Sequence, residues 1–171
     1  MTALREIGFS LGSNQGERLS HLSEAKDRLF RCLDAEPAGS SCVYETEPVG
    51  VRPEYEELDF LNAVVLLNSR YSIEHWLQEA GRIEEALGRV RSGDRNAPRY
   101  IDIDLLYAGE EWMDDGGIRV PHPRWAERLF VVQPLCELRP AVKLPDHPET
   151  VADICMRLSG TYRVTHFAGE W

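Results

Sequence analysis

Phe60–Leu67 reads FLNAVVLL, a nearly unbroken apolar run between two loops. Such a run predicts the central strand of a sheet. Upstream lies a loop, Thr46–Glu57, carrying Pro48, Gly50 and Pro53. Before that loop, Ser40–Glu45 alternates as a strand with Val43 and Tyr44. Farther upstream, Leu19, Leu22, Ala25, Leu29 and Leu33 recur at helical spacing, which predicts a helix over Arg18–Leu33. Ile7–Leu11, with Phe9, is a short apolar strand closed by the turn Gly12-Ser13-Asn14. Downstream of the central run, Ser72–Leu87 reads as a second helix, with Ser72 as N-cap, Glu74 in the first turn and Gly88 just past the end. A charged loop, Arg89–Arg99, leads into a strand over Tyr100–Tyr107. There Ile101, Ile103 and Leu105 share one face, while Asp102 and Asp104 share the other.

The order strand, helix, strand, strand, helix, strand predicts an α+β fold. It is the ferredoxin-like βαββαβ sandwich, with helices on one face of an antiparallel sheet. Beyond it a hairpin is expected over Gly109–Val120, a helix over Arg124–Leu135, a proline-rich stretch over Pro140–Pro148 and a small helix over Val151–Leu158. No repeat, low-complexity tract or linker interrupts the chain. One domain over residues 1–171 is therefore expected, with a core over about 5–140 and a C-terminal extension, 141–171, packed onto it.

The chain has 171 residues, 43% of them hydrophobic, and a formal net charge of -10. That hydrophobicity builds a core rather than a disordered segment. The acidic balance argues against nucleic-acid or membrane-surface partners, which require a basic face. Cys32, Cys42, Cys136 and Cys155 include no CxxC pair, so neither a zinc site nor a disulfide framework is expected. No signal peptide and no apolar span of membrane length is apparent. A cytoplasmic monomer with free thiols is the expectation.

The chemistry concentrates at Asp102-Ile103-Asp104. On a strand these two carboxylates converge on one side and repel each other. A divalent cation removes that conflict, and hard oxygens suit magnesium, which takes one or two carboxylates plus substrate phosphates. A solvated strand face would carry the same two acids. Arg82, Arg89, Arg91, Arg95 and Arg99 precede the pair, and guanidinium forks match phosphate oxygens. Salt bridges to Glu84, Glu85 and Asp94 are the plain alternative for each. Together the acids and arginines suit magnesium-assisted phosphoryl transfer. His122, between Pro121 and Pro123, fits a phosphate or ribose contact or a local structural bond. Gly12-Ser13-Asn14 with Gly16 lacks the P-loop lysine. Phe60, Asn62 and Phe130 would be core residues on ordinary grounds. A nucleotidyltransferase, a phosphohydrolase and a non-enzymatic binding module all remain open at this point.

SLGSN (Ser10–Asn14), YETEPVG (Tyr44–Gly50), DFLNAVV (Asp59–Val65), IEEALGRVR (Ile83–Arg91), PRYIDIDLL (Pro98–Leu106) and VPHPRWAERLFVVQPL (Val120–Leu135) occur in this order. Together they resemble the 6-hydroxymethyl-7,8-dihydropterin pyrophosphokinase family of folate biosynthesis. The resemblance implies that ATP is a co-substrate and that Asp102 and Asp104 hold two Mg2+ ions between ATP and the pterin hydroxymethyl oxygen. It implies that Arg89 and Arg99 close over the triphosphate as catalytic arginines. Glu84, Arg91, Arg95, His122 and Arg128 fall on the ATP side. Phe60 and Phe130 match rings that sandwich the pterin, and Thr46, Asn62 and Gly50 match groups along its edge. The chain departs from the family pattern in three places. Asn96-Ala97 stands where Trp-Gly is frequent, the loop after Gly50 is long, and Asp115-Gly116-Gly117 replaces a stretch that often offers an arginine, with Arg119 close by.

Overall fold

The computed structural model describes residues 2–89, 93 and 97–171. In chain order the elements are β1 (Arg5–Ser13), α1 (Arg18–Arg31), β2 (Glu36–Ser40), β3 (Val43–Thr46), β4 (Phe60–Ser69), α2 (Ile73–Ala86), β5 (Asp102–Ala108), β6 (Met113–Asp115), β7 (Ile118–Val120), α3 (Leu129–Leu138), α4 (Val151–Leu158) and β8 (Val164–Ala168). The main sheet runs β5-β1-β4-β3-β8, with β2 also on β4. Its pairings are antiparallel throughout. The fold is α+β.

FLNAVVLL lies at the heart of β4, between β1 on one edge and β2 and β3 on the other. Its residues Leu61–Leu67 are all buried. Alternate side chains then serve opposite layers. Leu61, Ala63, Val65 and Leu67 join Ile7, Phe9 and Leu11 of β1 against α1 and α2. Val64 and Leu66 join Leu106 and Tyr107 against α3 and α4. The C-terminal segment therefore supplies a second helical layer, and β8 adds an edge strand on β3.

The expected strand over Ser40–Glu45 is mostly β3, and a strand that the sequence patterns do not predict, β2, precedes it and ends at Ser40. At the break, Ser41 N–H donates to Val64 O at 2.9 Å, and Val64 N–H donates to the Ser41 hydroxyl at 2.9 Å. A side chain thus stands in for the ladder, and the chain shifts along β4. The third helix begins at Leu129, after a short 3-10 turn over Trp125–Glu127, rather than at Arg124. Helix α4 and the small hairpin of β6 and β7 match their expected positions. β8 carries no sequence signal: VTHFA is mostly exposed and lacks a clean alternation.

Helix α2 starts as its sequence predicts, with the Ser72 hydroxyl accepting from His75 N–H at 3.3 Å. Its C-terminus is closed by Gly88 at φ +90°. Gly88 N–H donates to Glu85 O at 3.1 Å and Arg89 N–H to Glu84 O at 3.0 Å. These two bonds form a Schellman closure. It ends the helix and aims the chain at Arg89 towards β5.

Gly8 of β1 lies beneath the ring of Tyr107, and a Cβ there would sit well inside contact distance of that ring. Tyr107 cannot easily yield, since its hydroxyl donates to Glu6 Oε1 at 2.7 Å and Arg139 grips the same carboxylate. Gly8→Ala is therefore expected to cost about 2 kcal/mol in urea unfolding. Gly81, inside α2, has open space around its Cβ position. Gly81→Ala should raise stability by about 1 kcal/mol. Equal effects at the two glycines would contradict this packing.

Candidate active site

Antiparallel pairing places directly opposed residues on the same face of the sheet. Gly12 of β1 opposes Asn62 of β4 and Asp102 of β5. One rung earlier, Ser10 opposes Val64 and Asp104. On this face Val64, Leu66, Leu106 and Tyr107 are covered by α3 and α4. The covering layer stops short of Gly12, Asn62 and Asp102. The uncovered floor opens into a cleft of about 760 Å³. Gly12 keeps that floor low: a Cβ there would stand 3.1 Å from Asn62 Oδ1 and 3.8 Å from the Phe60 ring.

Asp102 and Asp104 share the cleft face while Ile103 and Leu105 enter the core behind them. Arg89 Nη1 meets Asp102 Oδ1 at 2.8 Å, and Arg99 Nη1 meets Oδ2 at 3.2 Å. Asp104 has a more distant cation, Arg128 Nη1 at 3.9 Å. Its side chain, 39% exposed, opens to the cleft but is hemmed in elsewhere by protein. Burial first, and then the Asp102 charge, raise the Asp104 carboxyl to about 6 against the pull of Arg128, Arg89 and Arg99. Hard oxygens at period two, with one carboxylate left short of counter-charge, fit a divalent cation. No cluster of three His, Cys, Asp or Glu occurs among the described residues that could hold a metal by itself. The donor set suits magnesium, which completes its shell with phosphates and water.

Glu84 stands behind this pair and does not line the cleft. Only 7% exposed, it accepts from Ile103 N–H at 2.7 Å and is ion-paired with Arg89. Burial pushes its carboxyl up to about 7, although the Ile103 amide and Arg89 both pull it down. It therefore joins α2 to β5 and steadies Arg89. Expected among the ATP-side residues, it meets the cleft through its ion pair with Arg89.

Where the sequence predicts a turn over Gly12-Ser13-Asn14, β1 runs on to Ser13, and just past its end Asn14 holds Arg99. Its N–H donates to Asn14 Oδ1 at 2.8 Å, and Asn14 N–H donates to Arg99 O at 3.2 Å. This pairing, across 85 residues, is a role for the SLGSN run that spacing did not disclose. Arg91 and Arg95 lie outside the described residues, as does Asn96. His122 lines the cleft, with Nδ1 accepting from Arg124 N–H at 3.1 Å. Burial, and next the Arg128 charge, lower it to about 4. The ring is thus neutral at pH 7 and carries its proton on Nε2. Arg124 also lines the cleft, a residue that the sequence patterns did not single out.

On the other side, Phe60 opens β4 and Phe130 lies in the first turn of α3, and both line the cleft. The Arg128 guanidinium lies 5.6 Å from the Phe130 ring centre. Asn62, 3% exposed, donates through Nδ2 to Thr46 Oγ1 at 2.6 Å. Gly50, at φ +67°, makes the turn between Val49 and Val51, which both line the cleft. The two aromatic rings, the Asn62 amide and the carboxylate pair thus border one space.

Residues 8–140 match the model of the family described as 7,8-dihydro-6-hydroxymethylpterin-pyrophosphokinase. The chain is 35% identical over 137 residues to the Folate synthesis bifunctional protein of Arabidopsis thaliana, covering 80% of this chain but only 28% of that protein. It is 36% identical over 130 residues to the 2-amino-4-hydroxy-6-hydroxymethyldihydropteridine pyrophosphokinase of Bacillus subtilis, covering 76% of this chain and 75% of the relative. Among solved structures, the wild-type Plasmodium falciparum HPPK-DHPS with pteroate superposes with a TM-score of 0.70 at 14% identity. That match covers 92% of this chain and 43% of the other, and it speaks for the fold alone.

The raised Asp104 carboxyl has a consequence for stability. A carboxyl raised on folding keeps its proton in the native state where the unfolded chain has released it. In metal-free protein, the Asp104 contribution therefore makes stability fall as pH rises from about 3.8 to about 6 and changes no further above that, while Glu84, raised to about 7, extends the fall towards neutral pH. Asp104→Asn removes this loss and should be the more stable protein at neutral pH, by about 1 kcal/mol after allowance for solvent screening on the open side. Urea unfolding on either side of that window measures it. An Asn variant less stable than the parent at neutral pH would contradict the assignment.

Proposed function

Because the chain belongs to the 7,8-dihydro-6-hydroxymethylpterin-pyrophosphokinase family, we propose that its cleft transfers the pyrophosphoryl group of ATP to the hydroxymethyl oxygen of 6-hydroxymethyl-7,8-dihydropterin, releasing AMP in folate biosynthesis. The observation that carries this reading is the rung Asn62–Gly12–Asp102. Two strand spacings, about 10 Å, separate an amide suited to a pterin edge from an acid suited to a metal. That span is close to the length of a pterin bearing a hydroxymethyl arm.

In this reading Phe60 and Phe130 stack on the two faces of the pterin, since flat heteroaromatic rings favour such contacts. Asn62, oriented by Thr46, reads the ring edge, and the Gly50 turn brings backbone groups beside it. Asp102 and Asp104 hold two Mg2+ ions. When bound, magnesium neutralises phosphate charge and makes the attacking alcohol more acidic. The chain's own cations do the rest. Arg89 and Arg99 exchange their contacts with Asp102 for the triphosphate, where their forks meet charge moving towards the leaving AMP. Arg128, with Arg91 and Arg95, binds further phosphate oxygens. Neutral His122 offers Nε2–H as a donor without adding charge. Glu84 keeps Arg89 aimed. Holding the alcohol in line with the β-phosphorus supplies much of the remaining acceleration.

The strand order β5-β1-β4-β3 and the two helices on one face support a ferredoxin-like core. We read residues 1–171 as one domain, with 141–171 as an extension, acting as a monomer in the cytoplasm. No helix among the described residues is long and apolar enough to cross a membrane.

The assay mixes folded protein, ATP, magnesium and the reduced hydroxymethylpterin and follows nucleotide products. AMP is expected, and only when the pterin is present. Release of pyrophosphate would indicate nucleotidyl transfer instead, and ATP loss without acceptor would indicate hydrolysis. Asp102→Asn should lower the rate at least about 100-fold. A folded protein that makes no AMP sinks the proposal.

A further inference from the structure

Tyr162, Arg163 and Val164 lie beyond residues 8–140, the stretch that the family model matches. They nonetheless reach both aromatic walls of the cleft. The Phe130 backbone N–H donates to Tyr162 Oη at 3.0 Å. The two rings lie 6.4 Å apart at 48°. Helix α3 starts without a side-chain cap from Arg128, the residue at its N-cap. First-turn N–H groups have no acceptor within their own helix. A Ser, Thr, Asp or Asn just before the helix ordinarily supplies one. Here a tyrosine hydroxyl 32 residues away supplies it, at the residue whose ring forms one wall.

Arg163 secures the opposite wall. Its Nη2 pairs with Asp59 Oδ2 at 2.5 Å, beside Phe60. Its N–H donates to Glu47 Oε1 at 2.7 Å, and its carbonyl accepts from Glu47 N–H at 3.3 Å. Val164 then opposes Thr46 in the sheet. Three consecutive residues are thus tied to Phe130, to the neighbour of Phe60, and to the strand carrying Thr46.

We infer that Tyr162 and Arg163 are positioning residues that set the gap between Phe60 and Phe130 and so tune affinity for the pterin. The inference rests on the assignment of those two rings to the pterin faces. Both rings sit at the first turn or first residue of an element, where frayed ends leave side chains loosely held. Contact attraction is short-ranged, and a gap widened by about 0.5–1 Å forfeits a quarter to a half of it. A slot built from two element ends therefore needs a tie between them, and the segment leading into β8 is that tie. Its hydrogen bonds and ion pair go to the pterin walls and the strand carrying Thr46, and it reaches Asp104 only at second hand, through Phe130 and Arg128, so its effect falls chiefly on the pterin KM.

The test uses the full chain with Tyr162→Phe, Arg163→Ala and Arg163→Lys. The readouts are kcat, separate KM values for dihydropterin and ATP, and the thermal midpoint. Tyr162→Phe keeps the ring and removes one hydrogen bond. It should raise the pterin KM about fivefold while moving the ATP KM by less than about twofold. Arg163→Ala should act in the same direction, and Arg163→Lys should recover most of the loss. A pterin KM unchanged in all three variants overturns the inference, as does a parallel rise in both KM values tracking a fall in midpoint. If the parent protein makes no AMP and calorimetry detects no dihydropterin binding beside a non-hydrolysable ATP analogue, the pterin reading itself fails and this inference fails with it. A parent that turns over normally beside silent variants isolates the fault to the positioning role.

Discussion

Strand β1 is confined on every side. β4 and β5 hold its two edges, and α1 and α2 cover the face that carries Ile7, Phe9 and Leu11. A slip of one residue would turn these side chains out of the core and bring Ser10 in. Along its other face, Gly8, Ser10 and Gly12 follow one another at period two. Gly8 lies under the Tyr107 ring, and Gly12 lies bare beneath the cleft. The same strand therefore serves as packed core at one end and as the floor of the site at the other. The absence of side chains at its two glycines makes both possible.

The site built on that floor holds its charges at a cost to stability. Burial raises Asp104 to about 6 despite Arg128, Arg89 and Arg99, and Glu84 to about 7 despite Arg89. Carboxyls raised in this way weaken the folded state near neutral pH. Raised carboxyls beside fixed guanidinium groups are also what a site needs if it is to take up a cation and a polyphosphate. Asp102 occupies both of its oxygens with arginines, whose forks match phosphate oxygens as well as carboxylates. Glu84 and Asn14 act from behind: Glu84 pairs with the Arg89 guanidinium while accepting from Ile103 N–H, and Asn14 Oδ1 accepts from the backbone N–H of Arg99.

The C-terminal segment is an integral part of the structure. Helix α4 completes the second core, and β8 lengthens the sheet. The tail then returns to α1, where the Lys26 ammonium lies 4.2 Å from the Trp171 ring centre, and Trp171 Nε1–H donates to Ser41 O at 2.7 Å. Ser41 is the residue at which the expected single strand breaks, so the tail is fastened at the point where the ladder is interrupted.

What the sequence determined by itself lies within single elements. The apolar run at 60–67, the Ser72 cap, the Gly88 stop and the two acids at period two are all local patterns, because a strand or helix repeats over a few residues. The fold class followed from the order of those elements, and the acids and arginines followed from residue chemistry. Tertiary structure decided the pairings between distant segments. Ser41 breaks a strand only because Val64 lies opposite it. Glu84 is expected on the ATP side, and its bond to the Ile103 amide exists only because β5 is brought against α2. VTHFA becomes a strand only on finding the edge of β3. Tyr162 caps a helix that begins 33 residues before it in the chain. Such contacts leave no periodic trace, since their geometry is set by how layers stack and not by spacing along the chain.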